Sequence, residues 1–279
     1  MKSVFAFIFI FFAVTHSFGF ELRTAAQDSA PKYYEENGVM KGLCVDIINE
    51  LVAEVPELQI KGYDNFLPFK RLQRYLENGD IDIFVGLKKT QDREAKYNFV
   101  PIPIYTVNYF LIARSDDDFV FTDNTKLSDF SKDDSILTVF GSAAERFLSK
   151  ENCSNILPIA KNPENLIQML LYKRGRFAFY HNLGIEAGLK KNNAYSKVKV
   201  IPLRFYTYSH YIALSKKVSP SIANKIELAV RKMQSNGFLA KTYSKYVNFV
   251  VCKYGDQDTL QSFFHSQHIC LSPICECLY

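Results

Sequence analysis

Apolar and polar residues follow two different periods along this chain. Between residues 46 and 55 the apolar side chains recur at helical spacing, and Pro56 ends the pattern. The run from Ile81 to Val85 is almost uninterrupted instead, which is typical of a strand buried on both faces. The alternation of the two patterns predicts an α/β fold with parallel sheets that are covered by helices on both faces.

The same patterns, together with turn and capping residues, predict the other elements. Ser219 followed by Pro220 indicates the start of a long helix, and Gly237 its end. The predicted strands cover residues 21–26, 59–63, 81–85, 105–113, 135–140, 177–181, 198–203 and 209–214. The predicted helices cover residues 46–55, 71–78, 142–150, 163–174 and 220–236.

A polar stretch follows the apolar strand at Ile81 to Val85, and we expect Gly86 to Arg93 to form the loop at its carboxyl end. Ligands of open α/β sheets bind at the carboxyl ends of the strands. The guanidinium of Arg93 can hold a carboxylate through two parallel hydrogen bonds, and Thr90 adds a hydroxyl. Two interpretations stay open from the residues alone: a ligand site, or an ordinary charged surface loop.

The first nineteen residues have the pattern of a signal peptide. Lys2 supplies the positive charge, Val4 to Val14 is an apolar run, and Ser17-Phe18-Gly19 offers small residues for cleavage. The run is too short to span a bilayer. We therefore expect residues 1–19 to be removed and the protein to be exported to the periplasm in soluble form.

Charge and cysteine content narrow the function classes. The net charge is +5, but basic and acidic residues are interspersed and no nucleic-acid-binding motif is present, so we expect no nucleic-acid partner. We predict that Cys44 is a small buried apolar residue rather than a disulfide partner.

The spacings of histidine and cysteine residues in the C-terminal tail match no zinc site that we can justify, so we predict neither a metal nor a cofactor. The tail cysteines are Cys252, Cys270, Cys275 and Cys277.

Four blocks of sequence resemble the family 3 solute-binding proteins of bacterial ABC transporters, a group dominated by amino-acid receptors. The blocks are GVMKGLCVDIINELV, LENGDIDIFVGLKKTQDRE, FGSAAERFL and SNGFLAKTYSKYV, and their order supports the resemblance over residues 21–247. The resemblance implies a type II periplasmic-binding-protein fold, with two α/β lobes joined by two hinge strands. Lobe 1 would hold residues 20–112 and 208–247, lobe 2 would hold 113–207, and 248–279 would be a C-terminal extension of unknown structure.

The resemblance also implies ligand-binding residues in lobe 1. The T-x-x-R motif of the family, whose arginine takes the ligand carboxylate, falls on Thr90 and Arg93. The contacts just before the motif fall on Gly86 and Lys88, and the lysine replaces a serine or threonine that is frequent in the family. The aromatic residue that forms one wall of the pocket falls on Phe69.

In lobe 2 the resemblance implies an anion-binding turn and shows one departure. The G-[ST]-[ST] turn at a helix start falls on Gly141, Ser142 and Ala143. Amino-acid receptors of the family place an acidic residue after the strand that follows G-R, where it pairs with the ligand ammonium. In GRFAFYHNLGIE this position falls on His181 or Asn182, so an ordinary α-amino acid would lose its charge partner.

These observations predict a non-enzymatic, monomeric solute-binding protein. It would close on a small anionic or zwitterionic ligand that bears a carboxylate, an amino acid or a related compound, and deliver it to the permease of an ABC transporter. Glu186 could replace the missing acid only through an unusual turn. One alternative is a cleft enzyme of the cyclohexadienyl dehydratase type, which would need an acid near the scissile bond. The other is a periplasmic ligand sensor, which would need a membrane helix and a signalling module.

Overall fold

The computed structural model describes residues 19–122, 124–201 and 203–247. The predicted signal peptide, apart from Gly19, and the predicted extension 248–279 with its cysteines lie outside the described residues. Predictions about those segments therefore stay predictions.

Strands and helices alternate along most of the described chain. The strands are β1 (Phe20–Arg23), β2 (Tyr34–Glu36), β3 (Val39–Lys41), β4 (Leu58–Lys61), β5 (Ile83–Lys88), β6 (Tyr97–Phe99), β7 (Tyr105–Arg114), β8 (Ile136–Val139), β9 (Ile156–Ala160), β10 (Phe177–His181), β11 (Val198–Val200) and β12 (Tyr206–Ser215). The helices are α1 (Leu43–Glu54), α2 (Phe69–Asn78), α3 (Gln91–Glu94), α4 (Ala143–Lys150), α5 (Pro163–Leu171), α6 (Asn182–Asn192), α7 (Pro220–Ser235) and α8 (Phe238–Ser244). In this part of the chain, no helix is both long enough and apolar enough to cross a bilayer.

Two long strands, β7 and β12, belong to both lobes. Their amino-terminal halves pair with each other, with Tyr105 opposite His210 and Tyr109 opposite Tyr206. Beyond this segment β12 pairs with β5 and β6, whereas β7 pairs with β10 and β11. The lobes are therefore joined through two continuous strands, as the sequence predicted. Lobe boundaries at 112/113 and 207/208 stay predictions.

Strand directions differ in part from the prediction. The pairs β1 with β4, β8 with β10 and β8 with β9 are parallel, as expected. The long strands are antiparallel to their neighbours β5 and β10, so the large sheet is mixed and the expectation of parallel sheets was wrong there. The hydrophobic pattern indicates a buried strand but carries no information about direction, because direction depends on how distant segments connect.

Strand β5 continues beyond its predicted end and carries the chain into the site. Gly86 lies inside it with φ 96°, next to a register shift between Tyr211 and Ile212 of β12. A Cβ at Gly86 would lie 2.7 Å from Sγ of Cys44 and 2.8 Å from the hydroxyl oxygen of Tyr105, so only glycine fits. The expected loop from Gly86 to Arg93 is thus partly strand and partly the short helix α3.

Helix α1 starts at Leu43, earlier than the predicted residue 46, because a distant loop supplies its first hydrogen-bond acceptors. The N–H groups of Leu43 and Cys44 donate to the carbonyls of Pro31 (2.9 Å) and Lys32 (3.0 Å). Cys44 is fully buried and free, which confirms its prediction as a small apolar residue, and burial raises the pKa of its thiol to about 11. These bonds also hold the Lys32 loop against lobe 1.

Candidate functional site

A cavity of about 1030 Å³ lies between the lobes, and most of the predicted site residues line it. The carboxyl ends of β5 and β10 and the start of α4 converge on this cavity. Of the predicted residues, Asn182 is absent from the lining. The others are present in it: Phe69, Gly86, Lys88, Thr90, Arg93, Gly141, Ser142, Ala143 and His181.

Arg93 is held in place by uncharged groups. Its Nη1 donates to the carbonyl of Lys88 at 2.7 Å, and its guanidinium carbon lies 5.3 Å from the centre of the Phe69 ring. Burial lowers the pKa of Arg93 from its ordinary value, although an arginine remains charged at neutral pH. Within the described ranges no carboxylate pairs with Arg93. Its guanidinium group therefore lies in the cavity wall without a counter-ion from this part of the chain.

The turn before α4 has its own hydrogen bonds. Oγ of Ser142 accepts the N–H of Glu145 at 3.2 Å, which makes Ser142 the N-cap, and the N–H of Ser142 donates to the carbonyl of Val139. The N–H of Gly141 donates to the Glu145 carboxylate at 2.5 Å. Two of the three predicted amides are thus already bonded within lobe 2, which leaves the N–H of Ala143 at the helix start for a ligand.

His181 and Asn182 have different surroundings. Nδ1 of His181 accepts the N–H of Gly184 at 3.0 Å and caps α6, so Nε2 carries the proton of the neutral ring. Burial, and then the charge of Lys32, lower the pKa of His181 to about 3. Asn182 is buried, accepts from the N–H of Asn108 at 3.3 Å and donates to the hydroxyl of Tyr243 at 2.6 Å. An imidazole with an N–H donor therefore lines the cavity at the position where the sequence resemblance implied that an acidic residue is missing.

Glu186 does not replace the missing acid. Its side chain is buried in α6, accepts a hydrogen bond from the hydroxyl of Tyr195 and is absent from the cavity lining. The unusual turn that would have aimed it into the cleft is not formed, because the residues after His181 form a regular helix.

Two buried residues of the cavity were missed by the sequence reasoning. Lys32 comes from the loop between β1 and β2, is 9% exposed, and donates to Oε1 of Gln27 at 3.1 Å. His210 comes from β12, is 7% exposed, and its ring stacks on Tyr105 with centroids 4.6 Å apart. No local pattern distinguishes Lys32 from the other lysines of the chain, and His210 lies in a strand that was predicted only for its apolar residues.

Positive charge dominates the cavity lining. Eight basic residues line it against three acidic residues, Glu77, Asp92 and Glu151. All three acids are exposed, and Glu77 is already paired with Lys96 at 3.0 Å. The basic residues are Lys32, Lys70, Arg74, Lys88, Arg93, Lys96, Arg146 and Lys150. Over the part of the chain that the structure describes, no group of three His, Cys, Asp or Glu side chains is arranged to hold a metal ion.

Comparison with known proteins decides the family. The model of the bacterial extracellular solute-binding proteins, family 3, matches residues 22–249. The chain belongs to this family. As a family 3 solute-binding protein it has the type II periplasmic-binding-protein fold that the sequence predicted. No protein among the curated sequences matches this chain.

Solved structures share the fold of this family 3 protein at low sequence identity. A probable amino-acid ABC transporter extracellular-binding protein from Bacillus subtilis superposes with a TM-score of 0.69 at 15% identity, over 82% of this chain and 97% of that one. A putative binding component of an ABC transporter from Wolinella succinogenes, complexed with lysine, gives 0.67 at 17%, over 86% and 98%. An ancestral amino-acid-binding protein, described as a precursor of cyclohexadienyl dehydratase, gives 0.63 at 18%, over 81% and 95%.

Proposed function

We propose that this protein is an exported solute-binding protein that captures a small carboxylate-bearing ligand between its lobes and delivers it to the permease of an ABC transporter. The ligand is an amino acid or a related compound. Export by the signal peptide at residues 1–19 places the protein in the periplasm, where it works as a monomer without catalysing a reaction.

The observation that carries this proposal is a cavity to which both lobes contribute groups for an anion. Arg93 of lobe 1 is fixed and lacks a counter-ion among the described residues, and the start of α4 adds the dipole of a helix N-terminus from lobe 2. A carboxylate that contacts both groups is bound more tightly when the lobes are closed. Ligand binding then shifts the protein toward the closed state by this difference in affinity.

The structural neighbours support the chemical class of the ligand. One is complexed with lysine, and an ancestral arginine-binding protein is bound to glutamine, at 21% identity and a TM-score of 0.61 over 81% of this chain and 97% of that one. These ligands share a carboxylate, for which Arg93 has the required chemistry. They also share an α-ammonium, for which the position of His181 offers an N–H donor instead of an acid.

A ligand screen tests the proposal. Thermal unfolding of the mature protein would be recorded with amino acids, keto acids, dicarboxylates and short peptides. A ligand at a hundredfold excess over its Kd adds about 2.7 kcal/mol to the free energy of unfolding, which is a clear shift. Calorimetry on the hits would then compare wild type with Arg93→Lys, which keeps the charge but loses the fork and should weaken binding at least about tenfold.

Two controls make the screen decisive. Arg231→Lys, on the exposed face of α7, should leave the affinity unchanged, since Arg231 is absent from the cavity lining and pairs with Glu227 one helical turn away. After overnight incubation the ligand should be recovered chemically unchanged by NMR. Unaltered affinity in Arg93→Lys would contradict the proposed site, and conversion of the ligand would favour the cleft enzyme.

A further inference from the structure

The cavity contains more buried positive charge than one carboxylate can neutralise. Arg93 at α3 accounts for one acid group of the ligand. Lys32 lies in a different segment, the loop between β1 and β2, and the proximity of Arg93 contributes to lowering the pKa of Lys32, although burial is the larger cause. A buried lysine and a partly buried arginine in one cavity, with no counter-ion among the described residues, are unfavourable unless a ligand supplies negative charge to both.

Lys32 has little to neutralise it within the protein. Its ammonium donates to the Gln27 amide oxygen at 3.1 Å, and within the described ranges it forms no ion pair with a carboxylate. The side chain is nevertheless buried, because its backbone is tied to the start of α1 through the bond from Cys44. A buried lysine without an anionic partner costs free energy. An anionic ligand can reach Lys32 through the cavity.

Two histidines line the same cavity as Lys32 and favour the same kind of ligand group. His181 ends β10 and His210 lies on β12, and the charge of Lys32 contributes to lowering the pKa of both, after the larger effect of burial. His181 keeps Nε2–H for the cavity because its Nδ1 is bonded to Gly184. Nδ1 of His210 is buried and has no hydrogen-bond partner among the described residues. An acid group bound beside Lys32 would accept a hydrogen bond from Nε2–H of His181. Its negative charge would also favour protonation of His210.

Aromatic rings from α4 and β12 form one wall of the cavity. Phe147 stacks on Tyr206 with centroids 4.5 Å apart, and Tyr206 packs against Tyr208 at 5.5 Å. The ammonium of Lys88 lies 4.4 Å from the centre of the Tyr208 ring and, within the described ranges, forms no ion pair with a carboxylate. The middle of a ligand in this cavity would meet apolar ring faces, while its charged ends meet basic groups.

We propose that the ligand is a dianion with an acid group at each end, one held by Arg93 and the other by Lys32 with His181 and His210. The inference rests on the proposed function and names its substrate class: dicarboxylates and their close analogues rather than neutral α-amino acids. The amino group of such a ligand is dispensable, since the buried part of the cavity wall has no carboxylate for it.

Isosteric pairs of probes test the inference, because they differ by one charge and almost nothing in shape. Calorimetry would measure succinate against succinamate, glutarate against glutaramate, and adipate against its monoamide. At one chain length at least, the diacid should bind about tenfold or more tightly than its monoamide. Lys32→Gln should remove most of this ratio, and Lys241→Gln on α8, with the same change of net charge, should preserve it. Lys32→Met serves if the glutamine variant does not fold.

Each outcome distinguishes the inference from the proposed function. Monoamides or neutral α-amino acids that bind as tightly as the diacids would overturn the dianion and leave solute binding intact. A diacid preference that survives in both Lys32 variants would overturn the second acid site. A protein that binds neither series nor any compound of the wider screen would overturn the proposed function together with the inference.

Discussion

Two partly buried arginines of this protein have opposite surroundings. Arg176 is bonded to three carboxylates: Nε lies 3.0 Å from Asp117, Nη1 2.8 Å from Asp134 and Nη2 2.6 Å from Asp118. Arg93 is bonded to a backbone carbonyl and faces an aromatic ring, with no carboxylate partner among the described residues. The first charge is neutralised by the chain itself, whereas the described part of the chain offers no such neutralisation to the second.

The difference separates a charge that the fold neutralises from a charge that the fold leaves without a counter-ion, as the proposed anion site requires. Asp117 and Asp134 have side chains only 4% and 9% exposed, and burial alone would raise the pKa of each. The pKa of both is nevertheless below its ordinary value, because hydrogen bonds and the charge of Arg176 outweigh burial. Around Arg93 the fold provides only neutral acceptors. An unneutralised cation in a cavity is costly to the empty protein and favours anion binding.

The largest effect is expected for Arg176→Met. It would leave two buried carboxylates without their cation, and the free energy of unfolding should fall by about 3 kcal/mol or more. Denaturant unfolding monitored by circular dichroism measures this. Arg231→Met, which breaks an exposed pair one helical turn apart on α7, should cost less than about 0.5 kcal/mol. Equal losses in the two variants would show that the Arg176 cluster is no more than a surface network.

Mild acid should lower the stability of the folded protein through the two cavity histidines, at a higher pH than that at which the Arg176 cluster is affected. Burial holds the pKa of His181 near 3 and that of His210 well below its ordinary value, so between pH 6.5 and 4 the unfolded chain binds protons that the folded empty protein does not. Stability therefore falls as the pH falls through this window, whereas carboxylates with lowered pKa values lose their contribution only at more acid pH.

Thermal unfolding of the empty protein from pH 7 to pH 4.5 measures this dependence, and His181→Gln should flatten it. The basic groups that act on His210, namely Lys32, Arg93 and Lys88, are also present in His181→Gln, so the difference between variant and wild type reports the His181 imidazole. A melting temperature that is constant down to pH 4.5 would mean that neither imidazole is held neutral.

A smaller effect, on affinity rather than stability, is expected for His181→Asp. The variant restores an acid at the cavity wall, and aspartate is also a good N-cap for α6. Affinity for neutral α-amino acids should rise about tenfold, the size of one good charge-assisted contact. Asn182→Asp is the matched control and should give no gain, because Asn182 is bonded to Asn108 and Tyr243 away from the cavity. A gain in the control alone would reverse the assignment of the two residues.

The smallest effect is expected for the stability of Arg93→Met. Removing a cation that lacks a counter-ion should change the free energy of unfolding of the empty protein by less than about 1 kcal/mol, because the lost hydrogen bond is offset by relief of the buried charge. Denaturant unfolding checks this directly beside Arg176→Met. A loss comparable to that of the Arg176 variant would mean that Arg93 supports the fold.

Local sequence was sufficient for many of the elements and for one wall of the site. The strand predicted at 177–181 is β10, and the predicted capping residue Ser219 accepts the N–H of Ile222 at 3.3 Å. Gly79 ends α2 in the left-handed conformation. Most of the residues from Gly86 to Arg93 line the cavity, because a buried strand leads directly into them. These predictions depend on interactions within a few residues, which periodicity and capping chemistry describe.

The tertiary structure alone decided the other features. Strand β12 brings His210 beside β5, and a loop that caps α1 brings Lys32 to the same cavity, across 178 positions of sequence. The choice between His181 and Asn182 depended on how α6 leaves β10, since adjacent residues at such a junction point in different directions. The sequence by itself predicted many of the elements, the family and an arginine in the cavity wall. Which buried charges and rings meet in the cleft was decided by long-range strand pairing, because that pairing has no signature in any local stretch of the chain.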